Sequence, residues 1–209
     1  MALSLIFFSV LSVQVTRQFA FPKARFSIEQ RSLLRSEGDS GAPIWIVEYI
    51  DYQCGACRTA SQWLKETRER FPKKIYLQVR FHPILAHPYG LKSAIYAECA
   101  SRQGRFWPFH EILFKKQPKW SHVPPEEIDA LFESYAKEAG LNVRNLRACV
   151  ASPLTKATVF EENQASQSMG VKVTPTFFVN GKMIVGLQAI AEELRKLLPE
   201  AAGAGPEKK

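Results

Sequence analysis

Cysteine is scarce in this chain, with four residues in 209. A chain of this length buries enough core to fold without cross-links, so the four are not the framework of a small disulfide scaffold. Histidine is equally scarce, at four. None stands in a CxxH or HxxxH pairing with a cysteine, which removes the usual spacing of a structural zinc site, and no metal is expected. No apolar run reaches the roughly twenty residues of a membrane-spanning helix. Internal repeats and low-complexity tracts are absent. The net charge of +8 is spread among acidic residues without a basic and aromatic cluster, so no nucleic-acid partner is expected. Weak attraction to an anionic membrane surface is compatible with that charge. The remaining composition, 46% hydrophobic and 23% charged, is that of one globular domain with a substantial core.

The first residues stand apart. Ala2 to Val13 is almost wholly apolar and uncharged, about the length of a signal h-region. No positive residue precedes it and no clean small-x-small cleavage site follows. Residues 1–20 are therefore read as a signal peptide or a retained N-terminal membrane anchor, with a buried strand or helix as the alternative. Residues 21–41 read as a polar linker ending in the loop-forming "SEGDSGAP". The compact domain is placed at 42–200, followed by a flexible tail at 201–209.

Within that domain, "IWIVEYI" (Ile44 to Ile50) is apolar on both alternating faces, the mark of a central strand covered on both sides. A helical pattern follows, with Cys57, Ala60, Leu64, Thr67 and Phe71 on one face and Pro72 as its stop. "KIYLQVRF" (Lys74 to Phe81) alternates as a second strand, and this strand–helix–strand unit makes the two strands parallel. From about residue 89 to 169 the pattern is helical. Strand character then returns in "TFFVNGKMIVG", with Asn180-Gly181 as a hairpin turn, and "LQAIAEELRKLL" closes as a helix. The fold class is α/β: a mixed sheet flanked by helices, with an all-helical insertion between a βαβ half and a ββα half.

The segment "EYIDYQCGACRTA" carries the chemistry. A dithiol redox centre needs two sulfurs within bonding distance, one of them reactive as thiolate. Cys54-Gly55-Ala56-Cys57 at a helix start supplies both. The first cysteine sits at the positive end of the helix, which lowers its pKa, and the second lies about one turn inside. Cys54 is expected to attack and Cys57 to resolve. The alternative is a purely structural CxxC disulfide in a binding module, although so short a loop gives little entropic stabilisation.

Glu48 is the only charge in its strand. Burial there would raise its pKa and let it exchange a proton with the nearby Cys57 thiol; the alternative is a strand end wet enough for Glu48 to reach water. In "VTPTFF", Thr174-Pro175 enters a strand. From the residues alone, Pro175 reads as an ordinary trans turn proline.

Taken together and in order, several segments resemble the DsbA-like thiol–disulfide oxidoreductases of the thioredoxin superfamily. They are the Glu48 strand, CGAC, "FHPILAHP", "YAECASRQGRFWPFHEILF" and "GVKVTPTFFVNGKMIVG". The resemblance covers roughly Ile44 to Leu198. It implies a thioredoxin-like fold, Cys54 as nucleophile and Cys57 as resolving cysteine. It also implies Thr174-Pro175 as the cis-proline loop that faces the disulfide and binds substrate, and Glu48 as the acid beneath the buried cysteine. Gly55 and Ala56 form the start of the active-site helix. Ala56 is a departure: oxidising members carry a histidine there, so a less acidic Cys54 and a less oxidising disulfide are expected.

The function expected is a protein thiol–disulfide oxidoreductase, forming disulfides in exported proteins, with reductase or isomerase as alternatives. It needs no cofactor beyond the Cys54–Cys57 pair. Its partners are exported protein thiols or disulfides and a membrane redox protein that the sequence does not identify. The location expected is extracytoplasmic, in periplasm or cell envelope. Cys99 and Cys149 are read either as a second disulfide or as separate buried thiols. His82 and His87 read as loop packing or solvent-exposed residues. Phe106, Trp107, Phe109 and Phe114 read as helix core, and Asp51 as a solvent-facing neighbour of the thiols.

Overall fold

The computed structural model describes residues 34–198. The expected signal or anchor, the linker up to residue 33 and the tail lie outside the described residues. Among the described residues the sheet has five strands, β1 (Ser36–Glu37), β2 (Ile44–Ile50), β3 (Ile75–Phe81), β4 (Thr176–Val179) and β5 (Lys182–Val185), in the order β1-β3-β2-β4-β5. β2 is the central strand. It pairs parallel with β3 and antiparallel with β4, so the sheet is mixed as expected.

Register explains the apolar pattern. Ile44, Ile46, Glu48 and Ile50 stand opposite Ile75, Leu77, Val79 and Phe81 of β3, all on one buried face. The helix α1 (Gly55–Arg70) contributes Cys57, Ala60 and Leu64 to the same core cluster. Its last turn carries Arg68 and Arg70, which complement the helix dipole, and it ends at Phe71, before Pro72. Asn180 and Gly181 both adopt positive φ, 47° and 84°, as the two-residue β4–β5 turn requires. The Asn180 side chain accepts from the Trp45 backbone N–H at 2.8 Å, fixing the hairpin to β2.

The helical block comprises α2 (Gly90–Arg102), α3 (Phe106–Lys115), α4 (Gln117–Trp120), α5 (Ile128–Glu138), α6 (Val143–Ala151) and α7 (Pro153–Ser168). A final helix, α8 (Leu187–Leu197), follows β5. Phe106, Phe109 and Phe114 are buried in the core, with Trp107 packed against it. Cys99 of α2 and Cys149 of α6 are joined by a disulfide, which decides between the two readings of that pair.

The sheet begins earlier than the boundary expected at residue 42. Ser36 and Glu37 pair antiparallel with Gln78 and Leu77, so the end of the segment read as linker is an edge strand. Beside it Arg35 is fully buried and donates to the Glu162 carboxylate of α7 at 2.9 Å. Glu162 lies 127 residues away in sequence, so no local pattern could reveal the pairing.

Candidate active site

Four residues, Asp51 to Cys54, carry the chain from β2 into α1. Cys54 is the N-cap of α1, with extended backbone angles (φ −74°, ψ 118°) and no side-chain cap bond. Its sulfur is half-buried and lies 3.5 Å from the carbonyl oxygen of Thr174. The Thr174-Pro175 bond is cis, the conformation the resemblance implied and the residues alone did not. Antiparallel pairing of β2 with β4, Tyr49 opposite Thr176, delivers this loop to the start of α1. Sequence positions 54 and 174 thus meet because β4 lies beside β2.

The two thiols, both reduced in this structure, differ sharply. Cys54 is lowered to about 5. The largest cause is the hydrogen bond from the Cys57 thiol; the Thr174 side chain and the backbone N–H groups of Cys57 and Ala56 add to it, against partial burial. Cys57 is fully buried and pushed well above its ordinary value, first by burial, then by its bond to Cys54 and the Cys54 charge. The Thr174 hydroxyl is itself buried with no conventional hydrogen-bond partner among the described residues, and it lowers both thiols. Ala56 has no charge to offer, yet its backbone N–H helps hold an acidic Cys54. Gly55 and Ala56 are exposed, leaving the first turn open beside the sulfur.

Glu48 is buried rather than wet, at 1% exposure. It is flanked across the strands by Val79 and Phe177. Its Oε1 has no hydrogen-bond partner among the described residues. Burial raises it to about 8, opposed by the Arg68 charge. The carboxyl group is therefore largely protonated at neutral pH.

Asp51 corrects the expectation that it faces water. It is 1% exposed, and its Oδ1 accepts from the Gln53 N–H at 2.7 Å. Its Oδ2 accepts from the Ile84 N–H at 2.7 Å and from His87 Nδ1 at 2.9 Å. His82 is buried with its Nδ1 2.6 Å from the Ser166 hydroxyl, so both histidines of the loop are held by local hydrogen bonds. Among the described residues no group of three or more potential ligands is placed to hold a metal ion.

Two further sets of residues at the site carry no clear sequence signal. His110, buried, lies between the Tyr52 hydroxyl (3.0 Å) and the Ser61 hydroxyl (2.9 Å), and burial lowers it to about 3, keeping it neutral. Gln117 donates to the backbone carbonyls of Tyr52 and Cys54. Asp51, by contrast, had a local cue: Asp commonly accepts from the N–H two residues on.

A family model described as thioredoxin matches residues 34–200. The chain belongs to the thioredoxin family. Solved structures with this thioredoxin fold include a thioredoxin-like oxidoreductase from Silicibacter pomeroyi, 24% identical, covering 81% of this chain and 92% of that one with a TM-score of 0.63. Oxidised BdbD from Bacillus subtilis is 23% identical over 79% of this chain and 91% of its own, TM-score 0.67. Wolbachia pipientis alpha-DsbA1 is 18% identical over 79% and 89%, TM-score 0.68. At these identities the likeness establishes the thioredoxin-like fold alone. Sequence relatives include the Na(+)/H(+) antiporter NhaA of Herminiimonas arsenicoxydans, 32% identical over 149 residues. That match covers 71% of this chain but 22% of the antiporter. The NhaA 1 protein of Mycobacterium sp. (strain KMS) is 32% identical over 165 residues, 77% of this chain and 25% of that protein. The chain thus spans about a quarter or less of the length of these curated relatives. Among the described residues no helix is long and apolar enough to cross a membrane.

Proposed function

We propose that this chain is an extracytoplasmic thiol–disulfide oxidoreductase that forms disulfides in exported proteins through Cys54 and Cys57. The observation that carries this reading is the asymmetry of the pair. Cys54 is accessible and held near pKa 5, within the range of activated cysteines (about 3.5 to 7.5), while Cys57 is buried and kept as a thiol.

In this direction the pair begins as a disulfide. A substrate thiolate attacks Sγ of Cys54, the Cys54–Cys57 bond breaks, and a mixed disulfide forms between substrate and Cys54. The electron pair goes to the Cys57 sulfur, which takes up a proton because burial disfavours its anion. Glu48, protonated at neutral pH and buried in the same core, is the proposed carrier of that proton. A second substrate thiolate then attacks the substrate sulfur of the mixed disulfide. Cys54 leaves as thiolate, and two electrons have passed from the substrate to the pair. A low pKa makes Cys54 a good leaving group, and stabilising the reduced pair makes its disulfide the stronger oxidant.

Thr174, whose carbonyl lies beside the Cys54 sulfur, is proposed to meet the substrate backbone as an added strand, with Pro175 shaping the loop. The exchange needs no metal or organic cofactor. A membrane redox partner is proposed to restore the disulfide. Export is supported by the apolar Ala2 to Val13 stretch and by the Cys99–Cys149 disulfide, since structural disulfides persist in oxidising compartments.

A second reading keeps the site and reverses the electron flow: a reductase or isomerase. Ala56, in place of a charge-stabilising histidine, favours it. Equilibration with glutathione tests the direction. A potential well above about −270 mV supports oxidation, and one near that value makes the protein a reductant. The pH midpoint of Cys54 alkylation tests the site itself, and an ordinary thiol midpoint overturns the oxidoreductase reading. Cys54→Ser should abolish oxidation of a reduced, unfolded ribonuclease.

A further inference from the structure

The turn from Asp51 to Cys54 belongs to neither strand nor helix, so its backbone polar groups need partners from elsewhere. Two N–H groups are satisfied within the turn. Gln53 donates to Asp51 Oδ1 at 2.7 Å, and Cys54 donates to the Asp51 carbonyl at 3.1 Å. Two carbonyls of the turn reach the helical block, and one of them, that of Cys54, also accepts the Arg58 N–H of α1 at 3.2 Å. Gln117, buried in α4, donates through Nε2 to the Tyr52 carbonyl at 2.7 Å and to the Cys54 carbonyl at 2.9 Å. Those two bonds use both protons of its amide nitrogen.

Gln53 answers in the other direction. Its Oε1 accepts from the Tyr89 N–H at 2.7 Å, and its Nε2 donates to the Ser121 carbonyl at 3.1 Å. Ser121 closes the circuit, since its N–H and its hydroxyl both donate to the Gln117 carbonyl, at 3.0 and 2.6 Å. The result is a ring of hydrogen bonds running from the turn through Gln53, Ser121 and Gln117 back to the turn.

We infer that Gln53 and Gln117 are a positioning pair through which the helical block sets the placement of the Cys54 sulfur. The inference rests on the oxidoreductase reading and adds two residues that the chemistry above does not use. Neither glutamine is bonded to the sulfur; both act through the backbone. Cys54 has no side-chain cap, so its orientation depends on what holds its peptide groups. The Gln117 bond to its carbonyl, the shorter of the two there beside that from the Arg58 N–H, orients the peptide plane leading into Gly55, and with it the approach of the sulfur to the first N–H groups of α1. A neutral amide suits this position, because a carboxylate at 117 would set acceptors against two carbonyls.

The test uses the reduced full-length protein and the pH midpoint of Cys54 alkylation, with urea unfolding as the check that each variant folds. Gln117→Leu and Gln53→Leu should each raise the midpoint by about one pH unit, a tenfold change in the protonation equilibrium. The double variant should rise no further than the larger single, because a ring cut twice opens once. Should Gln117→Leu not fold, Gln53→Met probes the same ring from the half-exposed side. Folded variants with an unmoved midpoint overturn the inference while the wild-type midpoint stays acidic. Shifts that add in the double variant also overturn it, showing two independent contacts. An ordinary wild-type midpoint overturns the oxidoreductase reading and the inference with it.

Discussion

Gly90 packs so closely on the Asp51 carboxylate that a methyl group there would stand 2.6 Å from Oδ2. Asp51 cannot retreat, because it is buried and its two oxygens hold the Gln53 and Ile84 N–H groups and His87. One carboxylate therefore ties together the turn before Cys54, the loop after β3 and the start of α2.

Gly90→Ala should destabilise the protein despite the better helix propensity of alanine, which is worth at most about 1 kcal/mol. Overpacking against a fixed group costs about 1–3 kcal/mol. A lower urea midpoint at unchanged slope checks the expectation. A midpoint at or above that of the wild type would show that Asp51 has room to move.

Arg35 and Glu162 form a buried ion pair at 2.9 Å, with the guanidinium 4.1 Å above the centre of the Phe81 ring. Arg35→Met leaves a buried carboxylate without its cation and should lower stability by about 3–5 kcal/mol. The paired replacement Arg35→Met with Glu162→Leu should recover much of that loss. Recovery is expected because Nε and Nη1 of Arg35 already lack hydrogen-bond partners among the described residues. Urea unfolding of the two singles and the double measures this, and a double variant weaker than either single would contradict it.

Arg35 also shows where sequence reading stops. It stands in a polar stretch that looks like linker, and only a partner on α7 makes it core. The two-residue strand β1 is hidden for the same reason, since its pairing with β3 is tertiary and two residues carry no period. By contrast, β2, β3 and the Asn180-Gly181 hairpin are legible because their apolar alternation and turn chemistry are local. Cys54, Cys57 and Glu48 are legible from spacing and from a lone charge in an apolar strand. Asp51 is misread as solvent-facing because two of its partners, Ile84 and His87, come 33 and 36 residues later. Gln117 is silent in sequence: a glutamine in a helical stretch acquires a role only from the carbonyls it meets.

The Cys99–Cys149 disulfide closes a loop with a sequence separation of 50. Loop-closure entropy alone makes such a cross-link worth about 4 kcal/mol. Replacing both cysteines by alanine should lower stability by up to that amount and leave the alkylation midpoint of Cys54 in place. A shift of that midpoint would show that the disulfide reaches the active site through the helical block.

Glu48 gives the fold a pH dependence of unusual sign for a carboxylate. Its folded pKa is raised by burial to about 8 from an ordinary 4.5, so the native state keeps a proton that the unfolded chain releases. This contribution is present at low pH and is lost as pH rises through about 8. Between pH 7 and 8 stability should fall by about 1 kcal/mol. Cys54 works the other way in the reduced protein. Its folded pKa is depressed to about 5, first by the Cys57 hydrogen bond, so its contribution is present above the ordinary thiol pKa and is lost as pH falls. The two trends oppose each other in the reduced form, and oxidation removes the second because a disulfide does not titrate. Urea midpoints of the oxidised protein at pH 7 and 8 should therefore decline in the wild type and stay level in Glu48→Gln. The reduced wild type should show a shallower decline than the oxidised, or a rise. A decline that survives Glu48→Gln would place the buried proton on some other group and remove Glu48 from the proposed proton exchange with Cys57.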